Sequence, residues 1–234
     1  MIELRPYETL GAANHGWLDA HHHFSFSSYH DPARVHWGSL RVWNDDTIAP
    51  GTGFPTHPHN DMEIITYVRK GAITHRDSMG NEGRTEAGDV QVMSAGSGVQ
   101  HSEYNREDEE TTLFQIWIIP DERGGAPSWG AKQFPKGDRA GSFVPLASGV
   151  ANDDEGALPI RTNARVLGAT IKAGESVTYT PSSADRHLYL VPATGKVRID
   201  EVEAKARDGV AITQLAEVTI TAIEDSEVVL VDAA

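Results

Sequence analysis

The sequence predicts an all-β protein built from two copies of one small barrel, and three observations carry that reading. Short β-rich runs recur along the chain, punctuated by Gly, Pro and Asp, which is the pattern of a sandwich or barrel. Clear helical periodicity is missing outside short connectors. The two halves also repeat one another. In the first half "EIITYVRKGAITH" turns at Gly71, and "GDVQVM" follows from Gly88. In the second half "HLYLVPATGKVRI" turns at Gly195, and "DGVAITQ" follows at Gly209. Glu63 precedes its turn glycine by eight residues, and so does His187.

Taken in order, the first candidate strand holds "HHH" (21–23) beside "FSFSSY", packing onto the barrel. On a strand His21 and His23 share one face and His22 takes the other. The next runs are "VHWGSLRVWND" (35–45), "EIITYV" (63–68), "GDVQVM" (88–93) and "TTLFQIWIIP" (111–120). His75, ahead of a Gly-Asn turn, reads as a residue of the barrel rim. Met93, Phe114, Ile116 and Trp117 read as core, with some of them lining the barrel mouth. "REDEE" (106–110) reads as a solvated loop. The Gly-, Pro- and charge-rich stretch 120–142 is the linker candidate, which divides the chain into an N-terminal barrel at 1–135 and a C-terminal barrel at 136–234. "ARVLGATI", "SVTYTP", "HLYLVP", "GKVRID", "GVAITQ", "EVTITAI" and "EVVLVD" supply the second barrel's strands.

Composition narrows the function classes. The chain of 234 residues carries a net charge of −14, which argues against nucleic acid or an anionic membrane as a direct partner. With no cysteine there is neither a disulfide framework nor a thiol nucleophile, so any metal site must use His, Asp or Glu. "MIELRPYETL" lacks the basic-then-apolar order of a signal peptide, and no stretch approaches the roughly 20 apolar residues of a membrane span. The expectation is a soluble cytoplasmic protein.

The chemistry concentrates in "GTGFPTHPHNDMEIITYVRKG" (51–71). His57 and His59 stand at i and i+2, so on a strand both imidazoles face one side about 7 Å apart. "SAGSGVQHSEYN" holds a second such pair, His101 and Glu103. Two adjacent antiparallel strands, each presenting one pair inward, converge four donors on one point. Three imidazoles and a carboxylate suit one divalent transition metal, with Fe(II) taken ahead of Ni, Mn, Co, Cu and Zn. On an octahedral ion two positions stay open. In the second half the positions matching His57 and His59 are Pro181 and Ser183, and His187 has no histidine partners, so one metal per chain is expected.

These motifs resemble those of the cupins. "GTGFPTHPHNDME" is similar to the first cupin motif and "GDVQVMSAGSGVQHSEYN" to the second. Two departures are the spacings from Glu63 to Gly71 and from Gly88 to His101, and a third is the absence of the usual Pro in the second motif. "GWLDAHHHFSFSSYHDP", "HPHNDMEIITYV", "HRDSMGN" and "MSAGSGVQHSEYN" resemble the pirin family in particular, and within it the bacterial quercetin 2,3-dioxygenase-like branch. That resemblance implies a bicupin of two packed jelly-roll barrels, with the metal in the first. It maps the ligands onto His57, His59, His101 and Glu103. Glu63 fills the place of the glutamate ligand of ordinary cupins, and is left either as a ligand or as a neighbour that orients a histidine.

The resemblance implies a dioxygenase that opens the heterocycle of a flavonol such as quercetin with O2 and releases CO, with Glu103 as the catalytic base. It also leaves open a metal- and redox-dependent interaction protein of the pirin type, in which flavonol turnover is incidental. A different cupin activity, such as isomerisation of a small metabolite, is the third reading. An apolar barrel mouth favours the flavonol, and a mouth lined with Arg and Lys a phosphorylated or carboxylated substrate. Two barrels packed within one chain imply a monomer.

Overall fold

The computed structural model describes residues 1–151, 153 and 156–234. The described residues are nearly all strand and turn. Two 3-10 turns, Tyr7–Thr9 and Lys136–Arg139, are their only helical pieces. Among the described residues no helix is long and apolar enough to cross a membrane.

In chain order the first twelve strands are β1 (Ile2–Arg5), β2 (Gly11–Asn14), β3 (Leu18–His22), β4 (Leu40–Ile48), β5 (Gly53–His59), β6 (Glu63–Lys70), β7 (Ala72–Asp77), β8 (Glu82–Glu86), β9 (Val90–Ser94), β10 (Val99–Tyr104), β11 (Thr111–Ile118) and β12 (Ser128–Lys132). The remaining ten are β13 (Val144–Ser148), β14 (Leu158–Pro159), β15 (Ala164–Ile171), β16 (Ser176–Tyr179), β17 (His187–Thr194), β18 (Lys196–Ile199), β19 (Val202–Lys205), β20 (Gly209–Ile212), β21 (Val218–Ala222) and β22 (Ser226–Ala233).

They form two barrels, each a seven-stranded sheet facing a four-stranded one. The first barrel has the orders β12-β9-β6-β11-β4-β3-β2 and β5-β10-β7-β8. The second has β1-β20-β17-β22-β15-β13-β14 and β16-β21-β18-β19. Strand for strand, β9-β6-β11-β4 corresponds to β20-β17-β22-β15, and β5-β10-β7-β8 to β16-β21-β18-β19. The bicupin layout is thus an internal duplication. Gly71 (φ 73°) and Gly195 (φ 76°) make the matching turns in the left-handed region that favours glycine.

At one edge the chain departs from a simple split. β1, from the first residues, pairs antiparallel with β20 and completes the second barrel's sheet. β12, from the stretch read as a linker, pairs with β9 and completes the first. That stretch also holds Arg139, which is buried and donates to the Tyr67 hydroxyl at 2.9 Å. Its Gly and Pro residues bound short ordered pieces instead of making a free connector.

Period-two alternation explains how one sequence builds both interfaces. On β11, Phe114, Ile116 and Ile118 point outward and join Trp43, Tyr67, Tyr189 and Val229 in a core shared by the two barrels. The inward residues of β11 are Leu113, Gln115 and Trp117. The second barrel is filled with hydrocarbon, including Val177, Tyr179, Ile220 and Leu230. The first barrel's apolar interior is smaller, with Leu18, Ile48, Val68, Ile73 and Leu113 at its centre. A second small apolar group holds Ile64, Met93 and Val99, and many of the other interior positions are polar: Asn44, Asp46, Thr66, Gln91, His101 and Glu103 are all buried.

Candidate metal centre

Strand β10 is the axis of the site. It pairs with β5 so that His101 faces His57 and Val99 faces His59. A bulge between His101 and Glu103 then shifts the register, and Glu103 faces Phe54. On its other side β10 pairs with β7, which sets His101 against Asp77 and Glu103 against His75.

The three histidines come together. Their ring centroids lie 4.8 Å (His57–His59), 4.5 Å (His57–His101) and 4.9 Å (His59–His101) apart. One ring nitrogen from each lies within 4.8 Å of the others. Hydrogen bonds fix which nitrogens face inward. His57 Nδ1 donates to the Pro55 carbonyl at 2.7 Å, leaving Nε2 as the acceptor. His75 Nε2 donates to Asp77 Oδ2 at 2.9 Å, so its Nδ1 takes the proton of His101 Nδ1 at 3.4 Å. His101 Nε2 is then also an acceptor, and it stands 3.0 Å from His57 Nε2. Two lone pairs facing one another repel unless a cation lies between them. Two imidazole nitrogens, each about 2.1 Å from one ion and at right angles to it, would stand about 3 Å apart. The donor set fits a divalent transition metal on this geometry.

Electrostatics agree. Burial, then the His101 and His57 rings, lowers His59 to about 4. Burial, then His57 and His75, lowers His101 to about 3. Both are neutral imidazoles near pH 7, the form a metal needs.

Glu103 points into the same barrel, 2% exposed, but it stands apart from the three-histidine group. One of its oxygens lies within 4.8 Å of a ring nitrogen of His75 and of His101. Gln91 Nε2 donates to Oε1 and Gln115 Nε2 to Oε2, both at 2.8 Å. Thr85 donates to the Gln91 carbonyl at 3.1 Å and Trp117 to the Gln115 carbonyl at 3.1 Å, so both amides are held in place. Burial raises the Glu103 pKa against the pull of His75, His57 and His59.

Several expectations change here. Glu63 points away from the barrel interior. β5 ends at His59, the chain turns through Asp61 at φ 48°, and β6 begins at Glu63 with its phase reset. Its carboxylate accepts from Ser94 Oγ at 2.5 Å and contacts no histidine of the cluster. His75 is fully buried on β7, stacked on Trp129 at 4.8 Å and 7°, and is not a rim residue. Pro181 and Ser183 lie beyond β16, the strand that corresponds to β5. Tyr179 faces Val218 at the strand start as His59 faces Val99, so the second barrel's counterparts of the histidines, Val177, Tyr179 and Ile220, include no imidazole. His187 packs edge-on against Trp37 at 5.2 Å, and among the described residues it joins no group of ligands.

A cavity of about 290 Å³ lies one residue removed from the cluster, linked to it by Gln115, which bonds Glu103, and by Phe54, whose ring centroid is 6.3 Å from that of His57. Trp17, Leu18, Ala20, Phe26 and Phe54 form its apolar walls. His22, Asn44, Asp46 and Gln115 supply a polar edge, and no Arg or Lys lines it. His22 is therefore the member of "HHH" that faces this interior, with its ring bonded to Asn44 Oδ1 at 2.8 Å. His23 reaches Tyr189 of the second barrel at 2.9 Å. Gln115 touches both the cavity and Glu103. Sequence reasoning missed Gln91 and Gln115, although a glutamine inside the apolar runs "VQV" and "LFQIW" was the available signal.

Comparison with known proteins agrees with this architecture. The family profile described as Pirin matches residues 3–118, and one described as quercetinase C-terminal cupin domain matches residues 146–233. A pirin-like protein of Caulobacter vibrioides is 66% identical over 234 residues, 100% of both chains. A quercetin 2,3-dioxygenase of Escherichia coli is 43% identical, covering 99% of this chain and 98% of that protein. The crystal structure of the Escherichia coli bacterial pirin YhhW in complex with nickel(II) superposes with a TM-score of 0.92 at 40% identity, over 100% of this chain and 99% of that one.

Proposed function

The chain belongs to the pirin family of the cupin superfamily, and from that premise we propose that it is a metal-dependent dioxygenase that opens the heterocycle of flavonols such as quercetin with O2. One observation carries the reading: the buried carboxylate beside the three-imidazole cluster is held by Gln115, which also lines an apolar cavity that has no Arg or Lys in its lining. An apolar slot with a few placed polar groups suits a flat aromatic ligand. The absence of Arg and Lys disfavours a phosphorylated or carboxylated metabolite.

His57, His59 and His101 would hold the ion, and Glu103, within 4.8 Å of a His101 ring nitrogen, would complete the donor set. Iron(II) is our choice, because imidazole–carboxylate sets with open positions are the donor environment of non-haem iron oxygenases. When bound, the metal supplies Lewis acidity that lowers the pKa of the flavonol 3-hydroxyl. The chain's own residues do the rest. Glu103, made more basic by burial, takes the 3-hydroxyl proton. Gln91 and Gln115 keep its carboxylate aimed. Phe54, Phe26 and Trp17 hold the rings and keep water out. In the proposed reaction O2 adds across C2 and C4, and the C2–C3 and C3–C4 bonds break. C3 leaves with its own oxygen as CO, and both atoms of O2 stay in the ester product.

Incubating metal-loaded protein with quercetin in air and under nitrogen tests the proposal. Loss of flavonol absorbance in air alone supports it. No loss in air, with the metal in place, contradicts it.

A further inference from the structure

Asp46 is a buried acid that the metal cluster does not use. It is 2% exposed and lines the cavity. Its Oδ1 has no hydrogen-bond partner. The reason lies in the register: its cross-strand neighbours are Ala20 on β3 and Leu113 on β11, which offer only hydrocarbon. The adjacent Asp45 faces the opposite way and is paired by Arg69 and Arg207. Two consecutive carboxyls thus have opposite fates, one neutralised in the seam between the barrels and one left bare at the cavity wall. A partnerless buried carboxyl lowers stability, so a ligand contact is the natural reason to keep one.

We propose that Asp46 is a substrate-recognition residue, donating its carboxyl proton to a phenolic ring oxygen of the flavonol. This rests on the flavonol reading of the site. Asn44 faces Gln115, which holds Glu103. Asp46 is the next inward position along β4, about 7 Å further on. The oxygen it meets is therefore on a different ring from the 3-hydroxyl handed to Glu103. Burial first, then the charges of Asp45 and Glu103, holds the Asp46 pKa well above the ordinary carboxyl value, which favours the protonated donor form. The ligand class is a planar polyphenol with a hydroxyl at that distance, as opposed to a bare 3-hydroxyflavone core.

The test is an anaerobic titration of metal-loaded protein with quercetin and with 3-hydroxyflavone, which lacks the ring hydroxyls. Asp46→Leu should weaken quercetin about tenfold, the worth of one net hydrogen bond, and leave 3-hydroxyflavone unchanged. Asp46→Ala, smaller at the same position, should do likewise. Asp46→Asn keeps a donor and should retain most of the affinity. Ligand-free Asp46→Leu should melt about 2–4 °C higher, since it removes an unpartnered polar group. Unchanged quercetin affinity in the Leu and Ala variants overturns the assignment and leaves the flavonol reading standing. An equal loss for both flavonols also overturns it, as general damage to the cavity. If wild-type protein binds neither flavonol, the flavonol reading falls and the assignment falls with it.

Discussion

Asp77 sets the orientation of His101 through one intervening ring. His75 donates to Asp77 Oδ2 at 2.9 Å and receives from His101 Nδ1 at 3.4 Å. Strand β7 supplies both residues at i and i+2, and Trp129 stacks on the His75 ring from β12. The relay fixes the His101 tautomer so that Nε2 faces His57.

Breaking this relay should weaken metal binding without removing a ligand. Outer partners of ligating histidines typically contribute about 10- to 100-fold in affinity. Asp77→Asn and His75→Phe should each raise the metal dissociation constant by that order, as read by competition with a chelator. Affinity equal to wild type in both would mean that His101 is oriented by its strand alone.

The ligands themselves should behave differently from the other histidines. His57→Ala and His101→Ala should lose most of their metal on dialysis, and His187→Ala should keep it. Elemental analysis per chain decides. Full stoichiometry in both ligand variants would place the ion elsewhere.

Much of this was legible in the strand periods. The i, i+2 spacings of His57–His59 and His101–Glu103 placed four donors on inward faces, and the Gly71 and Gly195 turns revealed the duplication. What the sequence hid came from pairing and turns. Glu63 lost its inward phase because the turn at Asp61 restarts the count. Glu103 shifted relative to the histidines because of a bulge one residue before it. His75 and Asp77 entered the site only through the β7–β10 register, which local sequence does not encode. The exchange of β1 and β12 at the sheet edges is likewise a tertiary choice, made where an open edge needs a partner.

Acid should destabilise the metal-free protein through two of these histidines. The folded pKa values of His59 and His101 are lowered to about 4 and about 3, from 6.5. Above pH 6.5 both states are neutral and neither ring contributes a slope. Below it the unfolded chain binds protons that the folded one resists, so stability falls as pH drops toward those values. The melting temperature of wild type should therefore fall more steeply between pH 6.5 and 4 than that of the His59→Gln/His101→Gln double variant. Parallel slopes would contradict the buried, neutral state of the two rings.

Glu103→Gln separates a base from a mere ligand. Gln is nearly isosteric but poorly basic. The variant should keep a substantial share of its metal and lose about 10²- to 10⁴-fold in flavonol turnover per bound metal. The defect should shrink at high pH, where the 3-hydroxyl ionises unaided. Normal turnover per metal at neutral pH would remove the base role.

The most direct measurement is the gas released by the metal-loaded protein turning over quercetin in air. The account predicts one CO for each flavonol and each O2 consumed, abolished in His57→Ala and under nitrogen. Flavonol loss without CO, or CO release that persists in the His57→Ala protein, would contradict it.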